Sequence, residues 1–150
     1  MPNAYSFCDV QCAIAGPGGN IIVSEGGVAD EGITISMTED KSSMVTGADG
    51  SGMHSLHCSR AGRVTIRLLK NSPVNALLMR MYHFQVTSSA YLGRNVLSLT
   101  NPVWGDEFMC RDGAFTKLPD NVNGKEGGMM EWVLNFIMID EQLGDGTLSF

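Results

Sequence analysis

Gly62-Arg63-Val64-Thr65-Ile66-Arg67-Leu68-Leu69-Lys70-Asn71-Ser72-Pro73-Val74-Asn75-Ala76-Leu77-Leu78 changes its hydrophobic period half-way along. In the first half Val64, Ile66 and Leu68 alternate with Arg63, Thr65 and Arg67, which is the two-residue period of a strand with one buried face. At Ser72 the pattern changes. Serine is a good N-cap, and proline suits the first helical position because its missing N–H would have no partner there anyway. Val74, Leu77, Leu78, Met81 and Tyr82 then recur at helical spacing, which predicts a helix over about residues 73–85 with one apolar stripe. A half-buried strand that runs straight into an amphipathic helix predicts a sheet with that helix packed on it.

Elsewhere the strands predominate. Upstream, Ile33-Thr34-Ile35-Ser36-Met37-Thr38 alternates strictly, and Ser42–Thr46 is the expected antiparallel partner. Ser6–Ala15 and Asn20–Ser24 read as strands joined by the turn Gly16-Pro17-Gly18-Gly19, while Glu25–Gly32 and Gly47–Gly52 read as loops. Downstream, Asn95–Thr100 predicts a strand. Arg111-Asp112-Gly113-Ala114 predicts a hairpin turn of the Asp-Gly type between two more. Pro119–Gly128 is a loop, and Met129–Asp140, with its Trp, Val, Phe and Ile residues, predicts a last long strand. The count is about eight to ten strands and one helix: a mainly β (α+β) chain.

The 150 residues suffice for one domain with a true core and are too few for two, so residues 1–150 are read as a single domain. A hydrophobic share of 43% argues against disorder. No apolar run approaches the roughly 20 residues that cross a bilayer, and the first residues have neither a basic nor an apolar region of a signal peptide. Membrane binding is not expected, and folding in a cytoplasm is. Cys8 and Cys12, four apart in a strand, would stand roughly 13 Å apart, too far for a disulfide. Reduced, mostly buried thiols are the expectation for the four cysteines.

Net charge is −6, which argues against a protein that grips nucleic acid through its phosphates. The charge is segregated: residues 51–100 carry six bases and no acid, whereas residues 1–50 carry seven acids against one base and residues 101–150 nine against three. These segments either neutralise one another within a fold or form complementary surfaces that meet between copies.

Enzyme chemistry finds no support. His54, His57 and Cys58, with Asp49, are the nearest approach to a metal cluster, but no second half of a ligand set matches them. There is no Gly-x-Ser-x-Gly turn, and the glycine-rich segment 47–52 lacks the Gly-Lys-Ser/Thr ending of a phosphate loop. No catalytic residue, metal or cofactor is expected.

Glu31–Lys41, Gly47–His57, the Gly62–Leu78 string, Asn101–Asp106, Phe115–Asp120 and Gly127–Trp132 together resemble the tail tube proteins of contractile-tailed bacteriophages, over nearly the whole chain. The Leu68-Leu69-Lys70-Asn71-Ser72-Pro73-Val74-Asn75 stretch carries the resemblance most specifically. It implies a β-barrel or sandwich with one packed helix, six copies to a ring and rings stacked head to tail into a virion's inner tube. Genome DNA would pass through without specific binding. Sheath, tape-measure, baseplate and tail-terminator proteins would be its partners, and assembly would occur in the host cytoplasm. Four strands from each of six copies would make a barrel with a backbone diameter of roughly 48 Å and a bore of roughly 35–40 Å, ample for a duplex about 20 Å wide. The alternatives are a tube subunit of a phage-tail-like bacteriocin or secretion system, or a monomeric small β-barrel binding module.

On that picture the small polar face of Thr34, Ser36 and Thr38, ending in Glu39 and Asp40, is the candidate lining of the lumen. Arg60, Arg63 and Arg67, Asp30 and Glu31, and Met44 and Met53 in their glycine-rich surroundings are the candidate contacts between subunits.

Overall fold

Alternation in the sequence becomes a face in the sheet. The computed structural model describes residues 5–6, 9–23, 28–121 and 123–144, and the side chains of these except at 28–31. Within them lie strands β1 (Gln11–Gly16), β2 (Gly19–Ile22), β3 (Val28–Met37), β4 (Ser42–Thr46), β5 (Gly52–Leu56), β6 (Gly62–Leu69), β7 (Asn95–Asn101), β8 (Asp106–Lys117) and β9 (Met129–Gln142), and helix α1 (Val74–Gln85). Seven strands form one antiparallel sheet in the order β2-β1-β7-β8-β9-β6-β3, and β4 and β5 form a separate two-stranded sheet.

One face of the large sheet makes the core. Val64, Ile66 and Leu68 of β6 are fully buried, as are Ile14, Leu97 and Leu134 from β1, β7 and β9. They join Val74, Leu78 and Met81 of α1 in one apolar cluster. Each such side chain stabilises the fold by about 1.5–3 kcal/mol relative to exposure. Trp132, Phe115 and Tyr82 stack edge-on in series, with ring centres 5.9 and 6.2 Å apart.

The helix is clamped at both ends. Near its start Trp132 Nε1 donates to Asn75 Oδ1 at 3.0 Å. At its end the buried Gln85 Oε1 accepts from the Phe115 N–H (3.0 Å) and from Asn95 Nδ2 (3.3 Å). Gln85 Nε2 donates back to the Phe115 carbonyl. A buried amide is tolerated because its partners are satisfied, and this one ties α1 to β7 and β8 together.

The predicted elements mostly hold, with several differences: the first strand begins at Gln11 rather than Ser6, and β5 is a strand where none was expected. Pro73 is the N-cap rather than the first helical residue, although Ser72 Oγ still accepts the Val74 N–H at 3.3 Å. Leu77 is exposed, so the buried stripe is Val74, Leu78, Met81 and Gln85. The expected loop at Glu25–Gly32 is strand from Val28 onward, since Val28 pairs with Leu68 across a bulge that ends at Gly32, φ +62°.

Ser42–Thr46 does not pair with Ile33–Thr38: β3 pairs with β6, and the partner of β4 is β5. Finally, Asp112-Gly113 is no hairpin turn. β8 runs through it without reversing, and Asp112, φ +56°, takes up one extra residue opposite β7 as a bulge. Gly113 is required there because the Phe136 ring lies where a Cβ would stand, 2.2 Å from its nearest atom.

Candidate assembly surfaces

The solvent side of the long strands is decided by the register. On β3, β6, β9 and β8 one cross-strand row reads Thr34–Thr65–Val133–Lys117 and the next Ser36–Arg63–Asn135–Ala114. Arg67 lies opposite Glu131, at 3.4 Å from Nε to Oε2, and Arg63 Nε donates to Asn135 Oδ1 at 3.4 Å. The candidate lumen residues Thr34 and Ser36 and the candidate contact residues Arg63 and Arg67 therefore share one face. Alternation shows only that a strand has two sides; the register shows that these two sets are on the same side.

The other candidates lie elsewhere. Thr38 is committed locally, its Oγ1 donating to the Ala61 carbonyl at 3.0 Å. Glu39 and Asp40 are exposed just beyond the end of β3. Arg60 reaches Asp140 at 3.2 Å with both side chains about half exposed, so that pair stabilises little, about 0–1 kcal/mol. The side chains of Asp30 and Glu31 lie outside the described residues.

Met44 and Met53 stand on the small β4–β5 sheet, 63% and 61% exposed. Val45 and Leu56 are exposed beside them, on a hairpin whose register pairs Val45 with Met53 and Met44 with His54. Its turn is closed by Asp49, which accepts from the Ser51 hydroxyl (2.6 Å) and the Ser51 N–H (3.1 Å); these bonds hold its carboxyl below the usual range. The sequence flagged the two methionines but missed Val45 and Leu56, which look like core residues until the strand's lack of a packed face is known.

Between the hairpin's foot and the end of β9 runs an open groove of about 750 Å³, lined by Met37, Leu56, His57, Cys58, Arg60 and Ile139 among others. Among the described residues no three His, Cys, Asp or Glu side chains gather closely enough to hold a metal ion. Cys12 and Cys110 are buried and Cys58 is exposed, in line with the expectation of mostly buried thiols; Cys8 lies outside the described residues. Burial pushes both inner thiols up to about 12, helped at Cys12 by Cys110 and at Cys110 by Glu141 and Asp140.

The model of the bacteriophage PhiTE tail tube protein family matches residues 2–144. The chain belongs to that family. It is a structural tail tube protein and not an enzyme, a component of a virion or a phage-like particle. No curated protein matches it. Among solved structures, this tail tube protein is similar to a chain of the tail of an empty GTA particle refined with C6 symmetry. The TM-score there is 0.54 at 11% identity, covering 93% of this chain and 99% of that one. It is also similar to the tube-terminating cap of the anti-feeding prophage, with TM-score 0.53, 11% identity, and 96% and 95% coverage. A third likeness is to the sheath/tube terminator of the extracellular contractile injection system PVC, with TM-score 0.50, 11% identity, and 88% and 93% coverage. At such identity these likenesses speak for the fold.

Proposed function

We propose that this tail tube protein forms hexameric rings that stack head to tail into the inner tube of a contractile phage tail, and that the phage genome leaves through the bore. The observation that carries the reading is the run of four adjacent long strands, β8-β9-β6-β3, whose solvent face carries Thr34, Ser36, Thr65, Arg63, Asn135 and the Arg67–Glu131 pair beside Val133, Ile137 and Lys117. Four strands per copy is what a 24-stranded ring barrel needs, and Thr34, Ser36, Thr65, Arg63 and the Arg67–Glu131 pair are its proposed lining. The Arg67–Glu131 pair cancels one cation of that wall, which lowers the counterion-release gain it offers to DNA and favours sliding over sticking. Glu39 and Asp40 would stand at the rim. Arg60, Asp30 and Glu31 and the exposed hairpin with Met44 and Met53 are the proposed contacts between copies.

In this reading residues 1–150 act as one domain, assembly takes place in the host cytoplasm, and the sheath, tape-measure, baseplate and tail-terminator proteins are its other partners. Negative-stain electron microscopy of the concentrated protein tests it. Hollow rings or tubes with an open bore are expected; uniform small particles at every concentration would sink the proposal.

A further inference from the structure

Asparagine followed by glycine is a labile pair, because the side-chain amide carbon lies within reach of the next backbone nitrogen and glycine has no Cβ to hinder the approach. In this chain only Asn123 precedes a glycine. Asn123 and Gly124 lie between β8 and β9, and both are exposed. A Cβ built on Gly124 would meet nothing nearer than the Glu126 carbonyl oxygen, 3.9 Å away, so no neighbouring side chain crowds that residue.

A cation is already in place at the reacting group. Lys70, the residue after the end of β6, donates from Nζ to Asn123 Oδ1 at 2.6 Å. An ammonium has donors and no acceptor, so the amide oxygen, and not its nitrogen, is the atom that faces it. The Lys70 N–H donates in turn to the Gly128 carbonyl at 3.2 Å, which ties the far end of the same stretch to the lysine's backbone.

We propose that Asn123-Gly124 is a self-modifying site, deamidated by water with Lys70 as the group that stabilises the oxyanion. The Gly124 nitrogen gives up its proton and attacks Asn123 Cγ, and the carbonyl electron pair moves onto Oδ1. The lysine at Oδ1 favours that oxyanion over the neutral amide. The bond from Cγ to the side-chain nitrogen then breaks, and ammonia leaves with a proton, closing a succinimide. Water adds to one of the two ring carbonyls and opens the ring to aspartate or isoaspartate. The balance is one water in and one ammonia out, with nothing oxidised or reduced.

The product changes the surface around it. The net charge becomes one unit more negative than −6, and the new carboxylate stands beside Lys70. That lysine also lines an open groove of about 440 Å³ with Leu69, Asn71, Gly127 and Gly128. An old copy thus attracts acidic groups to this groove less than a new one does. The inference does not depend on what the chain assembles into.

Peptide mapping by mass spectrometry, on protein incubated at neutral pH, tests it. Aspartate and isoaspartate should accumulate at position 123 while the other asparagines stay amides. Lys70→Met should slow the conversion in the folded protein by roughly three- to tenfold, less than the roughly 10²–10³ lost at a water-excluded oxyanion site. In urea, where the contact is gone, the two proteins should convert at the same rate. Gly124→Ala adds a methyl group in open space and should lower the rate in either state by at least about tenfold. Equal rates for the folded wild type and the folded Lys70→Met protein would overturn the proposal. So would an Asn123 that stays intact, or a Lys70–Asn123 cross-link formed with loss of ammonia, since the lysine would then be the nucleophile.

Discussion

The β6–β9 pair and the β4–β5 hairpin are both antiparallel and regular, yet they owe their order to different things. In β6–β9 every second residue is buried: Val64 faces Leu134 and Ile66 faces Trp132, all fully inaccessible. In β4–β5 the ladder and the Asp49–Ser51 turn are intact, but neither face is covered. The first pair is held by the monomer's own core. For the second, the monomer supplies hydrogen bonds and little else, so most of its apolar surface is left for contacts outside the chain. The same local geometry can thus belong to folding in one place and to assembly in another, and only burial tells them apart.

That contrast can be broken most forcefully in the core. Trp132→Ala removes a fully buried ring and the bond to Asn75, and should cost about 3–5 kcal/mol, read as a large fall in melting temperature. A loss under about 1 kcal/mol would mean that the face of β9 is not the core it looks like. Next comes Gly113→Ala, whose methyl would collide with the Phe136 ring. A loss of about 1–3 kcal/mol in a denaturant titration is expected from overpacking. Gln85→Ala strands the buried Phe115 N–H, and about 1–3 kcal/mol should go with it.

A pH-dependent effect follows from the thiols. The native values of Cys12 and Cys110 are raised from 9.0 to about 12, so the folded state holds these protons more tightly than the unfolded one. Stability from this source is complete below pH 9 and is lost as pH climbs from there toward 12. Chemical unfolding across pH 8–11 should show the decline, and it should shrink in Cys12→Ala/Cys110→Ala. The smallest expected effect on the monomer is at the hairpin. Val45→Ser should shift stability by no more than about 0.5 kcal/mol, as for an exposed site, while depressing tube formation. A large loss of monomer stability would erase the distinction between the two regions.

Much of the fold was legible because burial leaves a period in the sequence. β6, β9 and α1 announce themselves through Val64, Ile66 and Leu68, through the apolar run at 129–140, and through Ser72-Pro73 with Leu78 and Met81. Where burial leaves no such mark, the reading failed. β4 gives no alternation that could choose between β3 and β5 as its partner. Asp112-Gly113 supplies a left-handed residue followed by glycine, which a turn and a bulge use alike; only the Phe136 ring settles which. Val28–Gly32 is strand despite two acids and a glycine, because Val28 pairs across a bulge.

The assembly surfaces were half legible. Met44 and Met53 stood out as apolar residues among glycines, and the structure leaves both exposed. That Thr34 and Ser36 share a face with Arg63 and Arg67 is visible only in the cross-strand register, which no single strand's pattern contains.

Gln85 has one more consequence. β7 pairs with β8 only as far as Gly113, so two residues on, at Phe115, the rim of β8 would lie open to any passing strand. The Gln85 amide sits in that gap, offering an oxygen to the N–H and an N–H to the carbonyl, as a neighbouring backbone would. An intruding chain would have to evict it before pairing there. A subunit synthesised in many copies, each rich in strands, thereby has one seam sewn shut by its own helix, and can be crowded without zipping to its siblings along the wrong border.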